Sequence, residues 1–567
     1  MKPKLAVITF PGNNCETESI RAGKRNGFDT ELVLWNEKAR SVPNSSRDLS
    51  KFDAYFLIGG FSFEDRGRSG AIPAREPIFD ELRKEAKKGK VILGVCNGAQ
   101  MIVESGLIPV GDNPVPFALA ENIRRNPSGH VMGTGYYNVW VHLKKERLDT
   151  AFTCAAKDLL QVPIAHGEGR FTSIDTKALK ALAGNKNVAY RYADAEGNVS
   201  TDFPITPNGA KYAVAMLVND EGTIGAIMPH PERFYDHFDG DQIFASMKKW
   251  IEAKHSPSSV KIGEFHKSEL PEIKPFVPEE KALLLEKKLI ITDNESFSVS
   301  QAASDVSGEK INFEKSILFE ITGKALDKKK ILESGLILNE NKEVLIPKPG
   351  FKEPQNPGLS QNKYAVLPLE DDTASALGEK LSALLKTEVS VKIYKCWDFG
   401  NTSESAIQKV LQNRLLANPN SAKLYKFGNT SPSSKNPCSK RYLLISSLVG
   451  FGTKEINSSI FFLYSSKKSS TDFTLGSSPK ERSSLIFDLI FSSDLGTVFG
   501  NPSTVEESIN SSVGLEIFGK PVVSSFDVPM KKCLYLKSLI PKERLCQTKK
   551  ILYTSPVHEN SPHFGFR

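Results

Sequence analysis

Several features are missing from this sequence of 567 residues, and each absence narrows what it does. No run of about 18 apolar residues occurs, so no helix is expected to cross a membrane. The first apolar stretch, Leu5–Phe10, is too short for the core of a signal peptide and reads as a buried strand. Seven cysteines are scattered without a Cys-x-x-Cys pair. That argues against a disulfide framework, a zinc ribbon or any other metal centre, and for a reducing compartment, the cytoplasm. No phosphate loop of the form G-x-x-x-x-G-K-[ST] is present. Basic stripes interleaved with aromatics, which single-strand nucleic-acid binding wants, are missing as well. The net charge of +8 does not restore that reading. Between Phe427 and Arg567 there are 17 Lys and Arg against 11 Asp and Glu, so most of the excess sits there. No nucleic acid or membrane is expected as a partner. What remains is ordinary globular composition, 40% hydrophobic and 25% charged. At about 150 residues per domain the length allows roughly two to four domains.

Residues 1–255 alternate strand-like and helix-like segments. Leu5–Phe10, Glu31–Trp35, Ala54–Ile58 and Val91–Val95 are short apolar runs, with helical spacing over Glu16–Asn26 and Pro77–Lys88. That order predicts an α/β fold, an open and mostly parallel sheet flanked by helices. After Phe117 the pattern turns more β-rich. Ala213–Val218 and Ile224–Met228 read as a strand pair joined by the turn Asn219–Gly222, and Ile243–Lys254 as a closing helix. Residues 256–287 lose periodicity and carry four prolines, the marks of a linker. Residues 288–427 read as a small α+β region, clearest as β-α-β-α-β over 364–427. Residues 428–567 hold 27 serines beyond the last such strand and no lasting period. They read either as a dispensable, non-native extension or as a further domain.

The sharpest chemical signal is Gly94-Val95-Cys96-Asn97-Gly98, entered from an apolar strand and followed by a helical run. This is a nucleophile elbow with cysteine in the serine position. The small residues on either side permit the sharp turn, and the helix N-terminus favours thiolate at Cys96. A thiolate nucleophile needs a base, and the base needs an orienter. Pro229-His230-Pro231-Glu232 offers both: two residues apart on extended backbone, His230 and Glu232 point to one side. His130, His142 and His166 are rival bases. The backbone N–H groups of Gly60, at the end of another strand, and Asn97 are candidates for an oxyanion hole.

Together, the G-V-C-N-G elbow, the Gly59-Gly60-Phe61-Ser62 loop and Met228-Pro229-His230-Pro231-Glu232-Arg233 resemble class I glutamine amidotransferases. Residues 1–255 more narrowly resemble the PurQ-type glutaminase of phosphoribosylformylglycinamidine synthase. Phe10–Glu16, Gly59–Asp65 leading to Ser69–Ile72, Arg124-Arg125-Asn126 and Ile164–Phe171 carry that narrower likeness. Where the family often has Tyr-Gly-Asp, this chain has Phe63-Glu64-Asp65. The resemblance implies Cys96 as nucleophile, His230 as base and Glu232 as orienter. It also implies glutamine contacts from Gln100 and the Gly60 loop, and a role in coupling for His166 and Glu168.

The helix end Leu415-Leu416-Ala417-Asn418-Pro419 before a last strand is similar to the end of PurS, the small assembly subunit of the same synthase. Residues 363–427 are PurS-like on that likeness, and Lys288–Pro347 is either a preceding copy or a decoration. The resemblance implies glutamine hydrolysis supplying ammonia to a PurL-like synthetase subunit, with a PurS-like subunit or its fused equivalent as the other partner. Formylglycinamide ribonucleotide then becomes the amidine in purine biosynthesis. No cofactor is expected in this chain; ATP and Mg belong to the synthetase. A glutaminase for another synthetase, or a non-catalytic scaffold or redox sensor with an elbow cysteine, are the rival readings.

Overall fold

The computed structural model describes residues 2–36, 48–234, 239–255, 257, 259–263, 270–346 and 362–427, with the backbone of 515–517 and 520–522. The expectations for the serine-rich segment therefore fall almost wholly outside the described residues. The chain divides into two units, Met1–Gly452 and Thr453–Arg567. The second is described only as an antiparallel pair, Leu515–Ile517 with Lys520–Val522.

The first unit is built on two sheets. Strands β1 (Lys4–Thr9), β2 (Asp29–Leu34), β3 (Ala54–Leu57) and β4 (Val91–Val95) are parallel, in the order β2-β1-β3-β4. Helices α1 (Glu16–Arg25), α2 (Ile78–Lys87) and α3 (Asn97–Ser105) follow β1, β3 and β4. The interior strands β1, β3 and β4 are buried along nearly their whole length, which is why they read as unbroken apolar runs rather than alternations.

The chain then adds β5 (Ala118–Ala120), β6 (Arg124–Arg125), β7 (Val131–Gly133), β8 (Tyr137–Lys145), β9 (Leu159–His166), β10 (Arg170–Thr172), α4 (Thr176–Ala183), β11 (Val188–Ala193), β12 (Val214–Val218) and β13 (Ile224–Ile227). β13 returns parallel to β4, and the sheet continues antiparallel as β12-β11-β8-β9. The turn between β12 and β13 is closed by Asn219, whose Oδ1 accepts from the N–H groups of Thr223 and Ile224. Helix α5 (Asp241–Glu252) ends this half, with Ile243, Phe244 and Met247 buried. The α/β reading of residues 1–255 holds.

The second sheet departs from the sequence reading. Strands β14 (Ile273–Pro275) and most of β15 (Leu283–Leu289) lie within 256–287, where a linker was expected. β14 is an edge strand, where proline costs no ladder bond. Two successive units follow. The first is β15, α6 (Asn294–Ser307), β16 (Glu314–Gly323), α7 (Lys328–Glu333), β17 (Glu343–Ile346); the second is β18 (Lys363–Pro368), α8 (Asp372–Leu385), β19 (Val389–Asp398), α9 (Glu404–Gln412), β20 (Ala422–Lys426). The sheet order is β14-β20-β18-β19-β16-β15-β17. Outward from the central β16–β19 seam, each unit therefore places its second, first and third strands in the same sequence. The seam is antiparallel over ten residue pairs, from Glu314 opposite Asp398 to Gly323 opposite Val389. This is a duplicated unit related by an approximate two-fold axis, and the described part of 288–347, up to Ile346, belongs to the preceding copy. Helix α9 stops at Asn413, short of the expected Leu416, because Arg414 turns to φ +53°. Among the described residues no helix is long and apolar enough to cross a membrane.

Candidate active site

Cys96 sits where β4 meets α3, with φ +50° and ψ −108°. A non-glycine residue held there is strained by about 1–3 kcal/mol, a cost characteristic of functional turns. The neighbouring glycines make the turn possible. A Cβ on Gly98 would stand 2.0 Å from the carbonyl oxygen of Leu57, and one on Gly94 would stand 2.4 Å from that of Gly98. The elbow thus needs glycine at both positions for backbone contact, not only for turning.

His230 and Glu232 follow β13, the strand beside β4. Nδ1 of His230 lies 2.6 Å from Oε1 of Glu232, and both side chains are sealed from solvent. Burial pushes the imidazole down, but the Glu232 carboxylate, reinforced by Cys96, outweighs it and raises the ring to about 9. Among the described residues His230 Nε2 has no hydrogen-bond partner of ordinary length, while its Cε1 and the Cβ of Cys96 approach the same face of Gly59. Base and thiol are neighbours without a tightened hydrogen bond, as is common before substrate arrives. The Cys96 thiol lies 3.8 Å from the carbonyl oxygen of Ala165 on β9. The structure brings Cys96, His230 and Glu232 together. The rival bases His130 and His142 stand elsewhere, on β7's approach and on β8; neither pairs with this dyad.

Gly60 adopts φ +127°, and a Cβ there would be 2.6 Å from the amide nitrogen of Asn14, so only glycine fits. The N–H of Asn97 heads α3, where no intrahelical acceptor exists. The Asn97 side chain does something the sequence did not suggest. Its Oδ1 accepts from Asn13 Nδ2 and from the Ser62 N–H; its Nδ2 donates to Asp65 and to Gln100 Oε1. It ties two other segments to the elbow, the loop after β1 through Asn13 and the loop after β3 through Ser62 and Asp65. Gln100 is nearly buried and also donates through Nε2 to the carbonyl of Glu168 at 2.7 Å.

His166 is buried, with neither ring nitrogen hydrogen-bonded among the described residues. Burial, with the nearby His230 charge, pushes it down to about 3, so it is neutral. Glu168 accepts from the Ser69 N–H and faces Asp65. Burial and then Glu168 push the Asp65 carboxyl up to about 7. Asn13 and Asp65 lay within segments quoted for the resemblance, but their partners are distant in sequence and no local signal marked them. Cys15, His230 and Glu232 present donor atoms within 4.8 Å of one another. The Arg233 guanidinium, 3.4 Å from the Cys15 sulfur, opposes a cation there.

Comparison with known proteins gives the family. Residues 2–258 match the family described as CobB/CobQ-like glutamine amidotransferase domain. A cysteine elbow facing a His–Glu pair on a helix-flanked sheet places the chain among the class I glutamine amidotransferases. Phosphoribosylformylglycinamidine synthase subunit PurQ of Methanothrix thermoacetophila is 36% identical over 270 residues, covering 45% of this chain and 100% of that one. The subunit of the same name from Methanopyrus kandleri is 36% identical, covering 44% of this chain and 98% of that one. A chain of the solved PurLQS of Thermotoga maritima is 33% identical, covering 44% of this chain and 100% of its own length, with a TM-score of 0.34. The chain belongs to the PurQ family.

Proposed function

We propose that this chain is the glutaminase component of a phosphoribosylformylglycinamidine synthase. The observation that carries the reading is the buried His230–Glu232 pair beside the Cys96 elbow, in a chain of the PurQ family. The Cys96 sulfur attacks the side-chain amide carbon of glutamine, and the carbonyl oxygen becomes an oxyanion. The N–H groups of Gly60 and Asn97 receive that charge, an interaction that forms only as the charge develops. His230, charged at neutral pH, gives its proton to the departing nitrogen, and ammonia leaves. Neutral His230 then takes a proton from water, the resulting hydroxide cleaves the glutamyl thioester, and glutamate departs. Glu232 holds the ring and offsets its charge.

Ammonia passes to a PurL-like synthetase subunit, which carries ATP and Mg and converts formylglycinamide ribonucleotide to the amidine. The duplicated sheet of residues 273–427 serves as a fused PurS-like assembly module. Its approximate two-fold arrangement supports that reading, since a linked pair of units replaces two separate copies. Gln100 and the Gly60 loop hold the glutamine, and buried, neutral His166 with Glu168 stands on the coupling side. The compartment is the cytoplasm. The test is Cys96→Ala in the assembled synthase. Amidation from glutamine should vanish while amidation from added ammonia persists; equal loss of both would overturn the assignment.

A further inference from the structure

The loop Ser62–Gly70 lies between the two sheets and is held from both. Phe63, Glu64 and Asp65 are three successive non-glycine residues with φ of +50°, +56° and +52°. Such a run does not persist unless its surroundings over-determine it. On one side, Asn97 of the nucleophile elbow bonds Ser62 and Asp65. On the other side the holding residues belong to the duplicated sheet. Glu295, in the first turn of α6, accepts from the Gly67 N–H at 3.1 Å, and Lys395 of β19 donates to the Gly67 carbonyl at 3.2 Å. The two side chains are themselves paired at 2.8 Å. Arg66 reaches Ser298 of α6 at 2.7 Å. Phe63 packs against the apolar cores of both sheets. Gly67 has φ +79°, and a Cβ there would meet Val299 at 2.9 Å.

We infer that Glu295 and Lys395 are positioning residues for the glutamine site: they grip the Gly67 peptide by both its N–H and its carbonyl, and so fix the strained loop that Asn97 joins to the nucleophile. The inference rests on the glutaminase reading above. Neither residue touches the reacting atoms, and Cys96, His230 and Glu232 follow the ends of β4 and β13, with which neither Glu295 nor Lys395 makes a described hydrogen bond or ion pair. Losing the grip therefore loosens the site for glutamine and leaves the thiol and its base in place. Glu295→Gln keeps an acceptor for the Gly67 N–H; Glu295→Ala does not.

The experiment uses the full chain and two reagents, with modification read at Cys96 by peptide mass spectrometry. One is a glutamine-shaped diazoketone, which needs the formed site; the other is iodoacetamide, which needs only the thiol and its base. Glu295→Ala should raise the half-saturating diazoketone concentration at least five-fold. Its iodoacetamide rate should stay within two-fold of wild type, and Glu295→Gln should recover most of the diazoketone loss. A Glu295→Ala chain with unchanged half-saturation overturns the inference, as does one in which both reagents slow equally, or a Glu295→Gln chain no better than Glu295→Ala. A wild-type chain that excludes the diazoketone while iodoacetamide enters sinks the glutaminase reading and this inference with it. An intact wild type with an unaffected variant sinks this inference alone.

Discussion

Oε1 of Glu232 stands 2.6 Å from Nδ1 of His230, and neither side chain reaches solvent. Burial alone would strip the imidazole of its proton; the carboxylate, with Cys96, reverses that and carries it to about 9. The proton needed by departing ammonia is therefore held throughout neutral pH. Glutaminase kcat/KM should stay level through neutral pH and fall as pH climbs through about 9. Glu232→Gln should move that falling limb toward the ordinary histidine value. A linked effect on folding has the same sign. A pKa raised in the folded state contributes stability that is full below about 6.5 and lost as pH rises through about 9. Glu232→Gln should thus lower the melting midpoint more at pH 6 than at pH 10. A limb that stays put in the variant would remove Glu232 from its orienting role.

Cys15 is the residue most easily mistaken for the nucleophile, since its sulfur lies beside the same His–Glu pair. Burial, and after it the Glu232 charge, push its thiol far above the ordinary cysteine range. It has no elbow and stays a neutral thiol at working pH. The glutamine-shaped diazoketone should therefore modify Cys96, and Cys15→Ala should keep most of the labelling rate. Peptide mapping that found the adduct chiefly on Cys15 would redraw the site.

What was legible in the sequence, and what was not, divides by distance along the chain. The elbow was readable because Gly94, Cys96 and Gly98 fall within five residues, and His230 and Glu232 within three. The network around Asn97 was not. Its bonds reach Asn13, Ser62 and Asp65, contacts 84, 35 and 32 residues away. The first copy of the duplicated unit stayed open between a preceding copy and a decoration for a different reason. Helix α6 carries serine at 296, 298, 300, 304 and 307, and its buried face is made of Val299, Ala302 and Ala303 with serines between them. Such a face packs closely against a sheet, yet it shows almost no apolar stripe. The strands hidden in the supposed linker were masked by Pro271, Pro275 and Pro278, which punctuate an edge strand as readily as a loop.

Asp65 offers a second reading of pH. Burial and the Glu168 charge raise its carboxyl from the usual range to about 7. The folded chain therefore binds a proton that the unfolded chain releases, and stability falls as pH rises from about 4 to about 7. Above that window the charged carboxylate is a standing cost. Asp65→Asn should raise folding stability at pH 8 by at least about 1.4 kcal/mol, the worth of one pKa unit, and change it little at pH 4. Denaturant melts at the two pH values decide it; an equal effect at both would show that Asp65 titrates like an exposed carboxyl.

Gly98→Ala tests the elbow's backbone rather than its chemistry. The added carbon would stand 2.0 Å from the carbonyl oxygen of Leu57, a backbone atom that no rotamer change removes. Helix α3 must shift away from β3, at a cost of about 1–3 kcal/mol by analogy with overpacked cores. Because α3 also carries Asn97 and Gln100, the shift should slow diazoketone labelling of Cys96 at least ten-fold even where the chain stays folded. Wild-type labelling in a folded Gly98→Ala chain would show that the elbow tolerates a looser contact.

The described contacts between the duplicated sheet and the glutaminase half end at Asn420. Asn418, in the Leu-Ala-Asn-Pro stretch, donates to Glu104 at the far end of α3, and Asn420 receives the N–H of Ile174. Burial would raise the Glu104 carboxyl, but Arg68 and Arg75, with Asn418, hold it at about 2. Strand β20 then fills its place between β18 and β14, and Phe427 stacks on Phe276 at 4.5 Å. A chain ending at Phe427 keeps every one of these contacts. One ending at Leu416 loses Asn418 and β20, and leaves Arg68 and Arg75 to share a buried carboxylate that has lost its third partner. The first truncation should melt as the full chain does, label at Cys96 at the same rate and still assemble with the synthetase. The second should melt lower and label slowly with the diazoketone. Melting, labelling and co-purification with the synthetase subunit check all three. If the chain ending at Phe427 fails to assemble, residues 428–567 contain a functional part of the protein and the dispensable reading of them is wrong.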